Sequence, residues 1–118
     1  MKYLFNEIKP NFDYIYMIAN SEGYFKVGIS KHPEKRLRQL QTGNQNNLKL
    51  IFTEEFECNR NKLLKIEALI HKEISSFSKH MKGEWFKIDE KDVERTKNII
   101  QFARIRYDSD PFAFKYFK

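Results

Sequence analysis

YIYMIANSEGYFKVGISKHPEKR, residues 14–36 of a 118-residue chain, carries two alternating segments, a turn between them and the start of a basic helix. Across 13–19 the side chains alternate, with Tyr14, Tyr16 and Ile18 on one face of a strand and Ile15, Met17 and Ala19 on the other. Residues 24–29 alternate likewise, Tyr24, Lys26 and Gly28 opposite Phe25, Val27 and Ile29. Between them Asn20-Ser21-Glu22-Gly23 reads as a turn, with Gly23 able to take positive φ, so the two strands are predicted to form a β-hairpin. Cross-strand partners share a face. Pairing Tyr16 with Lys26 and Tyr14 with Gly28 gathers Ile15, Met17, Phe25, Val27 and Ile29 into one buried surface. That register holds Tyr16 beside Lys26 on the more polar face, where Gly28 leaves room for a close approach.

Working outward, Pro33 suits the first turn of a helix and Gly43 its end. Pro33, Leu37 and Leu40 form its apolar seam. At about 100° per residue Arg36 falls beside that seam, while Lys35 and Arg38 point further into solvent. A polar loop at 44–47 leads to a third strand at 48–56, with Leu48, Leu50, Phe52 and Phe56 expected on one face. Residues 60–77 carry the strongest helical stripe: Leu63, Ile66, Ile70, Ile74 and Phe77. Glu67 lies inside the edge of that stripe, where a carboxylate is costly unless a cation pairs with it, either a basic side chain or a metal ion. KGEWFKI at 82–88 reads as a turn and a short strand. Asp89 can cap a last helix running to about Tyr107, with Val93, Thr96, Ile100 and Ala103 facing inward. The expected architecture is a small α/β (α+β) fold, a three-stranded antiparallel sheet flanked by helices in the order β-β-α-β-α-(short β)-α. It divides into an N-terminal extension at 1–12, a domain at 13–107 and an aromatic, basic tail at 108–118.

Twenty-two Lys and Arg against sixteen Asp and Glu leave a net charge of +6, which suits a polyanionic partner. No apolar run approaches the ~18 residues of a membrane span, and the first residues lack the apolar stretch and cleavage site of a secretory signal. The single cysteine, Cys58, makes no internal disulfide, so an intracellular, cytoplasmic, reducing setting is expected rather than secretion. His32, Cys58, His71 and His80 lack the regular spacing of a structural zinc site.

Tyr14-Ile15-Tyr16, Lys26-Val27-Gly28, Glu34-Lys35-Arg36 and a helical Glu67 together resemble the GIY-YIG nuclease superfamily. The segments KVGIS, PEKRL and GEWF resemble its branch in phages and mobile elements, and the likeness spans about 14–88. It implies a metal-dependent endonuclease that hydrolyses DNA phosphodiesters with one Mg2+ (or Mn2+). Carried over residue by residue, Tyr16 contacts or deprotonates the attacking water, Arg36 steadies the phosphate and Glu67 binds the metal. The residue types suit that chemistry, because an arginine directs two donors at an anionic phosphate and a metal on a carboxylate acts as a Lewis acid. Lys26 stands where the family usually has tyrosine, and Tyr14 where it usually has glycine. Glu84 and Trp85 occupy the region of the asparagine that often closes the family's site.

His71, four residues after Glu67, is a further candidate for the same site, with Glu84, Trp85 and Tyr14 as accessories; Trp85 fits a core anchor better than a base-stacking residue. Lys31, Lys35, Arg38 and Lys49, ordinary solvated cations by default, are candidates for tracking phosphates. No recognition helix stands out, so specificity would come from loops, a homodimer or a protein partner. Two other readings remain open: a catalytically inactive nucleic-acid-binding module, and a host-protein-interaction factor on the same fold.

Overall fold

Gly23 sits at φ +85°, and the register of the sheet follows from the turn it closes. The computed structural model describes residues 12–80 and 85–108. The Asn20 carboxamide oxygen accepts the backbone N–H of Glu22 at 2.8 Å and of Tyr24 at 3.1 Å, and Gly23 in the left-handed region returns the chain. Strands β1 (Asp13–Asn20) and β2 (Tyr24–Ser30) pair with Tyr16 opposite Gly28, Met17 opposite Val27 and Ile18 opposite Lys26. The expected pairings of Tyr16 with Lys26 and Tyr14 with Gly28 are therefore off by two residues. They would leave Ser21 alone to reverse the chain, whereas the observed register gives Ser21, Glu22 and Gly23 to the loop. A slip of two preserves the faces, so Ile15, Met17, Phe25 and Val27 are buried together as expected, with Ile29 packed at their margin.

The described strands form one antiparallel sheet in the order β3-β1-β2-β5-β4, with β3 (Leu48–Phe56) on the far side of β1 and β5 (Trp85–Lys87) on β2. The predicted three strands and short strand are present. The addition is β4 (Lys79–His80), which pairs with β5 as the chain leaves the second helix.

Leu48, Leu50, Phe52 and Phe56 do not share a face. Met17 pairs with Phe52 but Ile18 with Leu50, so Ile51 is an extra residue, a β-bulge that reverses the facing of the strand. Leu48 and Leu50 turn to one side, Phe52 and Phe56 to the other.

Both faces of the hairpin are covered. On one, Ile15, Met17 and Val27 pack with Leu63, Ile66, Ile70 and Ile74 of α2 (Arg60–Ile74) and Ile100 and Ala103 of α3 (Val93–Ala103). On the other, Tyr16, Ile18 and Leu48 pack under Leu37 and Leu40 of α1 (Pro33–Gln41). The face expected to be the more polar one is thus a second core, because the α1 seam needs an apolar seat. Asn59 caps α2 by accepting the Lys62 N–H at 2.8 Å. The helix ends at Ile74 rather than Phe77. Ser75, Ser76 and Ser78 hydroxyls donate to the carbonyls of His71, Glu73 and Ile74 and take over its last acceptors. Asp89 precedes a 3-10 turn (Glu90–Asp92) but makes no side-chain cap; its carbonyl accepts the Asp92 N–H instead.

A π-helical turn (Arg104–Asp108) closes the described chain. The Asp108 carboxylate accepts the backbone N–H groups of Glu57 and Cys58, both at 2.9 Å, and Arg104 pairs with Glu54. Most of the predicted extension and tail lie outside the described residues. No described helix is long and apolar enough to cross a membrane.

Gly23→Ala should lower stability by about 1–2 kcal/mol, the cost of a left-handed L-residue. Gly23→Asn should lose less, because asparagine tolerates that conformation. Urea unfolding midpoints measure both, and equal losses would show that crowding against Lys87 rather than φ sets the cost.

Candidate functional site

Sheet geometry decides where the candidate residues can act. Tyr16, in the middle of β1, is 1% exposed and belongs to the α1-side core, opposite Gly28 and Thr53. Lys26 is on the same face of β2, diagonal to Tyr16 rather than directly across, and 7% exposed. Its ammonium lies 5.7 Å from the centre of the Trp85 ring, its cross-strand neighbour on β5. Trp85 itself packs against the α1-side core, so the anchor reading of that residue holds.

Among the described residues the β2–β5 ladder runs only to Lys26–Trp85. Just beyond, the Val27 carbonyl is taken by His71 Nε2 at 2.8 Å. A carbonyl only accepts, so Nε2 carries the proton. The His71 ring also meets Phe86 edge-on, with ring centres 5.2 Å apart. These contacts dock the middle of α2 onto the outer edge of β2. Glu67, one turn earlier and only 12% exposed at its side chain, lies with Oε2 3.9 Å from His71 Nε2. Lys26 and Gly28 thus flank, along the strand, the residue whose carbonyl His71 binds, and Glu67 lies one turn of α2 before that histidine.

Glu34 and Arg38 lie on the flank of α1 that faces β3 and line a cleft there. Arg36 lies on the opposite flank, half-buried beside the seam, toward β2. The sequence distinction between Arg36 and its neighbours is thus a distinction between two sides of one helix.

The cleft on the β3 side has a volume of about 680 Å3. Tyr14, Lys31, His32, Lys35, Arg38, Leu50 and Thr53 line it, so four of the sequence candidates meet there. Lys49 does not join them: it is opposite Ala19 and exposed on the far face of the sheet. Glu84 lies outside the described residues. Sequence reasoning missed Asp13, buried at 2% exposure, which binds Arg60 Nη2 at 2.6 Å and holds Lys31 Nζ at 3.7 Å. A polar residue at the first inward position of a strand was the available signal.

For a divalent ion, Glu67 is the carboxylate on offer. Among the described residues no group of three or more His, Cys, Asp and Glu side chains is placed to hold a metal. One oxygen donor still suits magnesium, which keeps several waters and is bound through one or two carboxylates plus substrate phosphate. Cys58 has another character. Burial, with the hydrogen bond and charge of Asp108, pushes its thiol up to about 12, against the opposing charge of Lys62.

The T5orf172 domain model matches residues 12–101, from the start of the described sheet nearly to the end of α3. No curated protein and no solved structure matches the chain.

Two outcomes follow from these contacts. His71→Leu should orphan the Val27 carbonyl and cost about 1–3 kcal/mol in a denaturant titration. At pH 8 the thiol of folded Cys58, held protonated, should react with a disulfide reagent at least about a hundredfold more slowly than in urea, and Asp108→Asn should narrow that gap.

Proposed function

We propose, from the premise that this chain belongs to the T5orf172 domain family, a phage-associated domain related to nuclease-type folds, that it is a metal-dependent endonuclease of GIY-YIG type acting on DNA. The observation that carries the reading is the His71–Val27 hydrogen bond, which brings Glu67 of α2 to the strand edge that also bears Lys26 and Gly28. Positions far apart in sequence and matching the motif thus share one rim, with Arg36 on the adjoining flank of α1.

In this reading the scissile phosphate lies along the β2 edge. Gly28 allows the backbone close approach, and the Arg36 guanidinium directs paired donors at the non-bridging oxygens. Lys26 adds positive charge beside the position of the attacking water, and Tyr16 supports it from the strand behind. The water oxygen bonds to phosphorus, the bond to the leaving sugar oxygen breaks, and that oxygen takes a proton from solvent as the attacking water loses one. Glu67 would hold the magnesium ion, which supplies Lewis-acid stabilisation of phosphate charge when bound. His71 keeps the Glu67 turn at the edge.

A second reading, a catalytically silent nucleic-acid-binding module, draws on Tyr16, whose 1% exposure fits a core ring as well as a reacting group. Nicking of supercoiled plasmid in magnesium separates the two. The wild type should nick; Glu67→Gln and Arg36→Ala should each lower the rate about a hundredfold or more while the proteins stay folded. DNA binding with no magnesium- or manganese-dependent cleavage of duplex, branched or single-stranded substrates would leave the second reading standing and remove the first.

A further inference from the structure

We propose that the cleft between α1 and the β1–β3 strands is a second nucleic-acid site, distinct from the β2 edge, which holds one unpaired nucleotide of the strand flanking the reacting phosphate. The proposal rests on the DNA-directed reading above, though not on cleavage.

Three features of the cleft argue for a nucleotide. Its volume, about 680 Å3, is within the range of about 300–1,000 Å3 typical of small-ligand sites. Its charge is unbalanced: Lys31, Lys35 and Arg38 face Glu34, and among the described residues neither Lys35 nor Arg38 takes a carboxylate partner. Lys31 is steered by Asp13, yet that carboxylate makes its short bond to Arg60, 2.6 Å against 3.7 Å, so the Lys31 ammonium keeps donors for an anion. The third feature is Tyr14. Its hydroxyl donates to Glu55 at 3.0 Å, which fixes the ring by its edge beside Leu50 and Thr53 in the cleft wall. An aromatic ring held this way, with basic side chains around it, is the arrangement that stacks a base while cations take the adjoining phosphates. A duplex has its bases already stacked and would leave this wall unused.

The location sets a spacing. The two sites lie on opposite flanks of α1, and a helix with its side chains is about 10–12 Å across. At roughly 3.4 Å per stacked nucleotide, the captured base would sit about three nucleotides from the scissile phosphate.

Fluorescence anisotropy of the full chain with a labelled single-stranded DNA oligonucleotide, over a range of salt, tests this. The wild type should prefer the single strand to a blunt duplex of equal length. Lys35→Ala/Arg38→Ala should weaken single-strand binding at least about tenfold and flatten the salt slope by about 1.4, two phosphates at about 0.7 each. Tyr14→Ala should weaken it about fivefold to a hundredfold with the salt slope unchanged, a split that general loss of charge does not produce. Lys49→Ala, on the far face, serves as the control and should bind as the wild type does. Unaltered binding by both cleft variants overturns the proposal even if the wild type cuts plasmid. Weakened binding in a protein that never cuts supports the cleft and removes the nuclease reading, and a wild type that binds no nucleic acid removes both.

Discussion

β1 is enclosed on both faces, and most of the structure follows from that constraint. Ile15, Met17 and Ile18 are fully buried and Tyr16 is 1% exposed, so consecutive residues point alternately into two different cores. Each such side chain stabilises the fold by about 1.5–3 kcal/mol only if its own side is covered. One layer of helices cannot do this. The chain therefore sends α1 across one face of the sheet and α2 with α3 across the other. Among the described residues the centre of the sheet is covered on both sides, and polar side chains gather at strand edges, at the β1–β3 margin and on helix flanks. The candidate residues are found in such places: Glu67 and His71 at the rim of β2, Arg36 on one side of α1, Lys35 and Arg38 on the other.

Charged groups close this layered structure where apolar contacts run out. Asp13 at the start of β1 joins the first turn of α2 through Arg60 and the end of β2 through Lys31. Asp108, at the far end of the described chain, closes the β3–α2 junction by accepting two backbone N–H groups. Both carboxylates link segments far apart in sequence. The Asp13 carboxylate, 2% exposed, is the group that would be costly to leave without donors, while Arg60 and Lys31 are each about half exposed. A boundary placed after Tyr107 thus separates Asp108 from the residues it holds.

Local pattern is a good guide to faces and a poor guide to partners. The alternation of Ile15, Met17, Phe25 and Val27, the stripe of α2 and the inward set of α3 are all legible, because burial imposes a period on the sequence. The hairpin register read from pattern is off by two residues, since facing is unchanged by such a slip; only the minimum length of the turn distinguishes the two registers. Period also misleads at Tyr16 and Lys26. A tyrosine and a lysine look polar in a sequence, yet Tyr16 is covered by α1 and Lys26 is buried beside Trp85. The motif places Glu67 on a helix, but the His71–Val27 bond that positions it joins a side chain to a backbone carbonyl and leaves no mark in the sequence of β2. The cleft is visible in the sequence only as scattered cations. That Lys35 and Arg38 belong together and Lys49 apart depends on which face β3 presents.

The bulge at Ile51 gives β3 two phases. Up to Leu50 its apolar residues serve α1; from Phe52 they serve α2 and α3. The extra residue that would look like a flaw in a regular strand lets one strand supply both cores. Straightening β3 into an ideal alternating strand with Ile51 kept in the ladder would rotate Leu48 and Leu50 away from α1 and deprive Leu37 and Leu40 of their seat, whereas deleting Ile51 would leave both leucines opposite their present partners. Because α1 divides the two candidate surfaces, a single irregular position on the strand beneath governs the separation between them.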